Sequence, residues 1–261
     1  MSARLTFVRI EMAHSLLEDG ESKPKSIKFH SRGTALVILL VLLAPLGSKY
    51  GFWNFGIGFI LLTISAMGAL FYFVYGLVRV FKHRKRQQRL LWPTSILITI
   101  NFLVFGALGY QVNLAREAPP IHDISTDIID PPLFDKLVPI RGIESNSTVF
   151  DSETANRLQV QHYPSVTTLA YPSIDLEEAL NRVVLVLEDI GLDIVSVDES
   201  KLIVEATDTT FWFGFKDDVV VRIRKSGSGV IYDVRSLSRV GVSDLGTNAR
   251  RITKILRQLQ N

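Results

Sequence analysis

Two long apolar runs flank the loop KHRKRQQR, Lys82 to Arg89, and this pattern constrains the fold more than any other stretch of the chain. Lys82, Arg84, Lys85, Arg86 and Arg89 are five permanent cations in one short loop, with Arg79 just before them. On insertion scales each Lys or Arg at the centre of a span is disfavoured by roughly 2.5–3.5 kcal/mol, so short loops of this kind stay on the cytoplasmic side. The competing loop, Gly47 to Asn54, holds the single cation Lys49.

Three spans are expected, at about 34–53, 55–78 and 91–110. Pro45 removes a backbone donor within the first. The second easily reaches the roughly 20 residues that a bilayer core requires. Within it Ser65 and Ala69, four apart with Gly68 alongside, suit close helix approach. The third carries Trp92 and Tyr110 at its ends, as interface anchors do, and Asn101 at mid-span. A lone mid-span amide is better suited to gluing helices than to lining a transport path, which needs central ionisable groups.

Charge follows the same division. Up to Asn113 there are 13 Lys and Arg against 4 Asp and Glu, and after it 16 against 22. No acidic residue occurs between Glu21 and Glu117. The basic excess therefore reports membrane topology and argues against a nucleic-acid partner. There is no cysteine, which removes disulfides, thiolate metal sites and thiol nucleophiles. The first apolar run begins only near Thr34, after a polar lead, so the first span is expected to act as an uncleaved signal anchor. Residues 1–33 are expected as a cytoplasmic tail, with a short helix or a disordered segment around Ala3 to Leu17. Residues 34–110 form the anchor. Residues 111–261 lie outside, which in a bacterial inner membrane means the periplasm.

The exported part opens with a proline-rich lead-in, 118–173, which must wrap or pair to stay ordered. Asp175 with Glu178 is a capping box, and Leu176, Leu180, Val183, Val184 and Leu187 make one helix face ending at Gly191. Strands are expected at Asp193 to Val197, Leu202 to Ala206, Thr209 to Phe215, Val219 to Lys225 and Val230 to Ser236. If Lys225 faces Val230 across the Ser226 to Gly229 turn, Ile223 meets Tyr232 and Val221 meets Val234 on one face, and Arg222 meets Asp233 on the other. A last helix, Ser243 to Leu259, has Ser243 as N-cap, Asp244 near its positive end and Leu245, Ala249, Ile252, Ile255, Leu256 and Leu259 as its buried stripe. The fold class is α+β: three transmembrane helices, then an exported domain with an antiparallel sheet of about four to five strands flanked by two helices.

APPIHDISTD, the pair Pro131 and Pro132, TTFWFGFKDDVVVRI and DVRSLSRVGVSDLGTNARRI occur as separated blocks in one order. Together they resemble domain of unknown function family 1499, in the form found in membrane-anchored bacterial proteins. The resemblance covers roughly Ala118 to Asn261. It implies an established family and no assigned activity.

Chemistry-bearing residues are few. His122 and His162 are the histidines beyond the spans, and no zinc-type spacing joins them to Asp123 or Asp127. No metal or other cofactor is expected. A hydrolase acting on an envelope component would need to assemble His122, Asp123, Asp127 and Ser243, without a nucleophile elbow to support it. Arg222, Arg224, Arg235 and Arg239 have period-2 spacing. With Ser243 and Asp244 at a helix N-terminus they could dock an anionic, lipid-derived ligand; the alternative is a solvated strand face with Arg222 paired to Asp233. Phe211, Phe213 and Phe215 are expected as core on one side of their strand, with Trp212 exposed or under the lead-in; the alternative is that Trp212 is a ligand platform. The preferred reading is a non-enzymatic binding or adaptor domain on a bilayer anchor, recognising an envelope protein or a lipid-derived anion.

Overall fold

The computed structural model describes residues 25–83 and 90–261. The cationic loop beyond His83 and the tail before Lys25, with the expected helix around Ala3 to Leu17, lie outside the described residues. Three helices come first: α1, Lys25–Lys49; α2, Phe55–His83; and α3, Leu91–Glu117. All three are long and apolar enough to cross a membrane, with mean hydropathies of 1.7, 2.2 and 1.8, and each exceeds the roughly 20 residues a bilayer core needs. They also run past the expected limits, because helix continues through the polar flanks that hydropathy alone would exclude.

The described chain divides into two compact units: residues up to Leu42 with Ile60–Leu108, and Leu43–Phe59 with Gly109–Asn261. In the first, Ser65 and Ala69 are fully buried along with Val37, as small residues at a helix crossing should be. Ser65 turns its hydroxyl back to the Leu61 carbonyl at 2.8 Å. Asn101 donates to the Thr34 hydroxyl on α1 at 2.8 Å and to the Leu97 carbonyl at 2.8 Å. A bond of this type averages about 0.6 kcal/mol in membranes, so Asn101 fixes helix register more than it supplies stability.

The second unit carries the mixed α+β domain. Its six strands are β1, Asp123–Ser125; β2, Leu169–Tyr171; β3, Asp193–Asp198; β4, Ile203–Thr209; β5, Lys216–Ser226; and β6, Gly229–Ser238. All pairings are antiparallel, in the order β1-β6-β5-β4-β3, with β2 also on β6. The lead-in thus does pair: β1 takes the Arg235–Leu237 end of β6 and β2 the Val230–Tyr232 end. Two helices, α4, Leu176–Asp189, and α5, Thr247–Gln260, cover one face. Asp175 caps α4 by accepting from the Glu178 amide at 2.8 Å, as the capping box predicts.

The β5–β6 register matches the sequence reading. Lys225 faces Val230, Ile223 faces Tyr232, Val221 faces Val234 and Arg222 faces Asp233. Ser226 and Gly229 also pair, which shortens the turn to Gly227 and Ser228. The apolar set packs with Leu180, Val183, Ile252, Ile255 and Leu259 of the two helices in one core. A smaller cluster, Phe134, Leu137, Val220 and Leu237, sits on the other face beneath the lead-in.

Two elements differ from expectation. Thr209 to Phe215 is not a strand: β4 ends at Thr209, and 210–215 is a turn closed by Thr210 N–H to Phe215 O at 2.8 Å and Gly214 N–H to Thr210 O at 3.2 Å. The final helix starts at Thr247 rather than Ser243, because Leu245 and Gly246 have positive φ, 54° and 76°.

Gly229 is required by space. A Cβ there would lie 1.9 Å from the Tyr171 carbonyl oxygen and 2.6 Å from the Pro172 carbonyl carbon, both backbone atoms of the crossing lead-in. Overpacking costs typically about 1–3 kcal/mol. Gly229→Ala is therefore expected to lower the urea midpoint and to release β2 first, which hydrogen exchange at Leu169 to Tyr171 would register; an unchanged midpoint would contradict this packing.

Candidate functional site

The sheet face opposite the helices shows what period-2 spacing of charged residues builds when a covering segment supplies the counter-charges. Arg222 and Arg224 on β5, and Asp233 and Arg235 on β6, project to this side, with Arg239 just beyond β6. Arg235 is fully buried. Its guanidinium grips Asp123 in a two-point fork, Nε to Oδ1 at 2.9 Å and Nη2 to Oδ2 at 2.7 Å, and donates to the carbonyls of Pro132 at 3.2 Å and Thr148 at 2.8 Å. Phe134 and Phe150 have ring centroids 5.1 and 5.0 Å from it, within cation–π range.

The other arginines are equally engaged. Asp233, buried, accepts from Arg222 at 3.1 Å, from Arg224 at 2.8 Å and from the Thr168 hydroxyl at 2.9 Å. Arg222 also reaches Asp130 at 2.9 Å and Asp127 at 3.4 Å, and Arg224 reaches Asp127 at 3.2 Å. Asp218 is shared by Arg239, at 2.8 Å, and by Arg141. Glu205 accepts from the backbone amides of Asp135 and Leu137. Arg222, Arg224, Asp233, Arg235, Arg239, Asp218 and Glu205 are each answered by the lead-in or by a cross-strand neighbour, so this lattice clamps 123–150 onto the sheet.

The first turn of α5 lies on the opposite side. There Asn248 donates to the Ser238 hydroxyl at 3.0 Å and to the His122 carbonyl at 2.9 Å, and accepts from the Ser236 hydroxyl at 2.7 Å. Ser243 donates to the Pro119 carbonyl at 2.8 Å, and Asp244 takes up the cap, accepting from the amides of Gly246 at 2.8 Å and Asn248 at 2.6 Å. The helix end that would attract an anion is already occupied by a carboxylate of its own chain. The arginine lattice and Ser243 with Asp244 are therefore on separate faces and do not form one site.

The residues of the hydrolase reading are also apart in their bonding. His122 contributes its carbonyl oxygen, Asp123 is taken by Arg235, Asp127 by Arg222 and Arg224, and Ser243 by Pro119. No Ser–His or His–Asp hydrogen bond links them among the described residues. Among the same residues no group of three or more His, Cys, Asp or Glu is placed to hold a metal ion. Trp212 lies half-exposed in the 210–215 turn.

Burial pushes the Asp244 carboxyl above its ordinary value of 3.8, against the Asn248 and Gly246 amides, which favour the anion. A folded-state pKa above the unfolded one gives stability that is fully present below the unfolded value and is lost as pH rises through the folded value. Asp244→Asn removes this titration. The stability lost on substitution is therefore expected to be larger near pH ~4 than at neutral pH, read from urea unfolding at a series of pH values; a loss independent of pH would contradict the buried charge.

Sequence reasoning passed over Arg251, which is nearly buried and holds Asp217 at 2.7 Å, Asp208 at 2.6 Å and the Ser236 hydroxyl at 2.9 Å. The signal was an arginine on the same stripe as Ile252, Ile255 and Leu259. It also passed over the outward face of α5. Arg250, Lys254 and Arg257, at i, i+4 and i+7, line a cleft of about 320 Å³ with His162, Tyr163 and Ser165. Arg250 and Lys254 also border a second cleft of about 220 Å³, shared with Thr247, Arg251 and Asp208, the last two paired with each other. Arg250 donates to the Leu245 carbonyl at 3.0 Å and the Thr247 hydroxyl at 3.1 Å, both uncharged. Neither Lys254 nor Arg257 has an ion pair among the described residues. The contrast with the sheet face makes this groove the candidate site: a concave surface lined by three cations and by no Asp or Glu.

No curated protein sequence matches the chain. Residues 123–259, more than half of the chain and all but the ends of the α+β domain, match the family described as protein of unknown function (DUF1499). The lattice, the groove and all of α5 but its last residue lie within that span, and on this match the chain belongs to the DUF1499 family.

Proposed function

We propose that this protein is a non-enzymatic binding protein of the bacterial cell envelope, in which an inner-membrane anchor formed by 34–110 holds an exported domain, 111–261, that recognises an anionic group. One observation carries the reading: α5 presents Arg250, Lys254 and Arg257 along a cleft whose lining includes no Asp or Glu, while the arginines of the sheet are spent on structure. Three cations around a cleft of about 320 Å³ suit a phosphate- or carboxylate-bearing ligand, because charge-assisted hydrogen bonds are roughly twice as strong as neutral ones. The groove also carries His162, Ser165 and Tyr163 as further hydrogen-bonding groups for the rest of such a ligand.

Orientation rests on the five cations of Lys82 to Arg89, which favour the cytoplasmic side and send the domain outward. An alkaline phosphatase fusion after Asn261 tests this part, since the reporter folds actively only when exported: an active fusion supports it and a well-expressed inactive one rejects it. The binding part is tested with the full chain in nanodiscs and inorganic phosphate as the probe. Lys254→Glu with Arg257→Glu is expected to weaken binding by at least about tenfold, equivalent to about 1.4 kcal/mol, with thermal unfolding unchanged. Equal binding by the double variant would remove the groove from consideration.

A further inference from the structure

The turn 210–215 between β4 and β5 has a role that the groove does not explain. Its sequence is Thr-Phe-Trp-Phe-Gly-Phe, and it leaves Phe211 71% and Trp212 51% exposed. Within the second unit this turn is seated on the α1–α2 connection. Phe213 lies 5.1 Å from Phe59 and Phe215 lies 5.8 Å from Phe55, centroid to centroid. Lys49, the last residue of α1, donates to the Phe211 carbonyl at 3.0 Å, with its ammonium 4.9 Å from the Phe211 ring. Gly214 makes the approach possible: its φ is +69°, and a Cβ there would sit 3.2 Å from the Lys49 Cα.

The connection is itself rich in exposed aromatics, with Tyr50 68% and Phe52 79% exposed. The Lys49 ammonium lies 6.0 Å from the Tyr50 ring on one side and 4.9 Å from the Phe211 ring on the other. Four exposed aromatic residues and one lysine are thus gathered where two candidate spans end. Aromatic rings and snorkelling lysines concentrate at that depth of a bilayer. The turn also meets the condition for entering it, because its backbone is closed on itself: Thr210 N–H to Phe215 O, Gly214 N–H to Thr210 O and Phe215 N–H to the Thr210 hydroxyl at 2.9 Å. These bonds, with Lys49 on the Phe211 carbonyl, satisfy the base of the turn; the peptide groups of the tip itself stay hydrated at headgroup depth, where water is present, and so the foot reaches the interface and not the hydrocarbon core.

The geometry points to the Phe211–Trp212 tip as a membrane-interface foot, whose occupant is the headgroup–acyl boundary of the same bilayer that α1 and α2 enter. A lipid surface is favoured over a protein partner by continuity, since the apolar tip extends the aromatic collar of the spans. The foot brings the β4–β5 end of the sheet down to the lipid surface.

The chain has three tryptophans, Trp53, Trp92 and Trp212, so Trp53→Phe with Trp92→Phe leaves Trp212 as the sole reporter. In nanodiscs of lipid brominated near the glycerol end of the acyl chain, its emission is expected to fall by about half relative to plain lipid, as for an interfacial aromatic, and aqueous iodide should quench it weakly. Strong iodide quenching with no effect of bromine would overturn the proposal by placing Trp212 in water. Protection from both quenchers would overturn it by placing a protein surface over the tip. If the double variant does not reconstitute, Trp212→Cys in this cysteine-free chain carries a nitroxide. Relaxation by dissolved oxygen rather than by a water-soluble nickel chelate then supports the foot, and the reverse order rejects it.

Discussion

Arg235→Ala is expected to lower the unfolding free energy of the domain by about 3–5 kcal/mol, the range for removing one partner of a buried ion pair. The mechanism is specific. Asp123 is left beneath the lead-in without its two-point fork, and the carbonyls of Pro132 and Thr148 lose their donor. Phe134 and Phe150 lose the planar group that lies between them. Arg235→Met should fail almost as badly, since it fills space but still strands Asp123. Arg235→Met with Asp123→Leu should recover much of the loss, because replacing a buried pair by well-packed apolar residues is often near neutral. Urea unfolding in nanodiscs, with protease sensitivity of 126–150 as a local readout, measures all three. A loss below about 1 kcal/mol for Arg235→Ala, the range of an exposed ion pair, would mean that the clamp is not what holds the lead-in.

Arg251→Ala comes next, at about 3 kcal/mol. Arg251 is the polar pin of α5: it bridges Asp217 at the start of β5 and Asp208 at the end of β4, and it touches Asn248 and Ser236 on the way. Its loss leaves Asp217, 7% exposed at the side chain, facing the core end of the helix without a counter-charge. A double-mutant cycle with Asp217→Asn should return a coupling of at least about 1 kcal/mol, as contacting residues of one network do. Additive effects would show that α5 is held by its apolar stripe alone. The groove rides on this helix, so Arg251→Ala should also weaken phosphate binding, through displacement of Arg250 and Lys254.

The β5–β6 hairpin and α4 were legible because each repeats its signal. Alternation in both strands admits one register, and in α4 a capping box and a four-turn apolar stripe agree. The stretch Thr209 to Phe215 was misread because Thr, Phe and Trp in alternation are what a strand prefers. The competing information, Gly214 at positive φ against Lys49, depends on a residue more than 150 positions away. The start of α5 was misplaced for a local reason, since Leu245 fits the apolar stripe while its φ of 54° excludes it from the helix. Strands β1 and β2 have three residues each, too few for periodicity to register.

For the site, the four sheet arginines and their shared face were readable from spacing, and so was the pairing of Arg222 with Asp233. Spacing did not disclose that Asp123, Asp127, Asp130 and Arg141 arrive from the lead-in, because ion pairs between segments about 100 residues apart leave no local pattern. The groove had a signal that went unused. Arg250, Lys254 and Arg257 fall on one helical face at i, i+4 and i+7, opposite a stripe already recognised as buried.

The central claim is a division of labour: the sheet arginines and Arg251 hold the fold, and Arg250, Lys254 and Arg257 of α5 remain available to bind. Titrating inorganic phosphate into the full chain in nanodiscs, with arginine and lysine side chains labelled for NMR, tests it most directly. Shifts at Arg250, Lys254 and Arg257, with Arg222, Arg224, Arg235 and Arg239 unmoved, are the predicted result. Shifts confined to the four sheet arginines, or none at all, would contradict it.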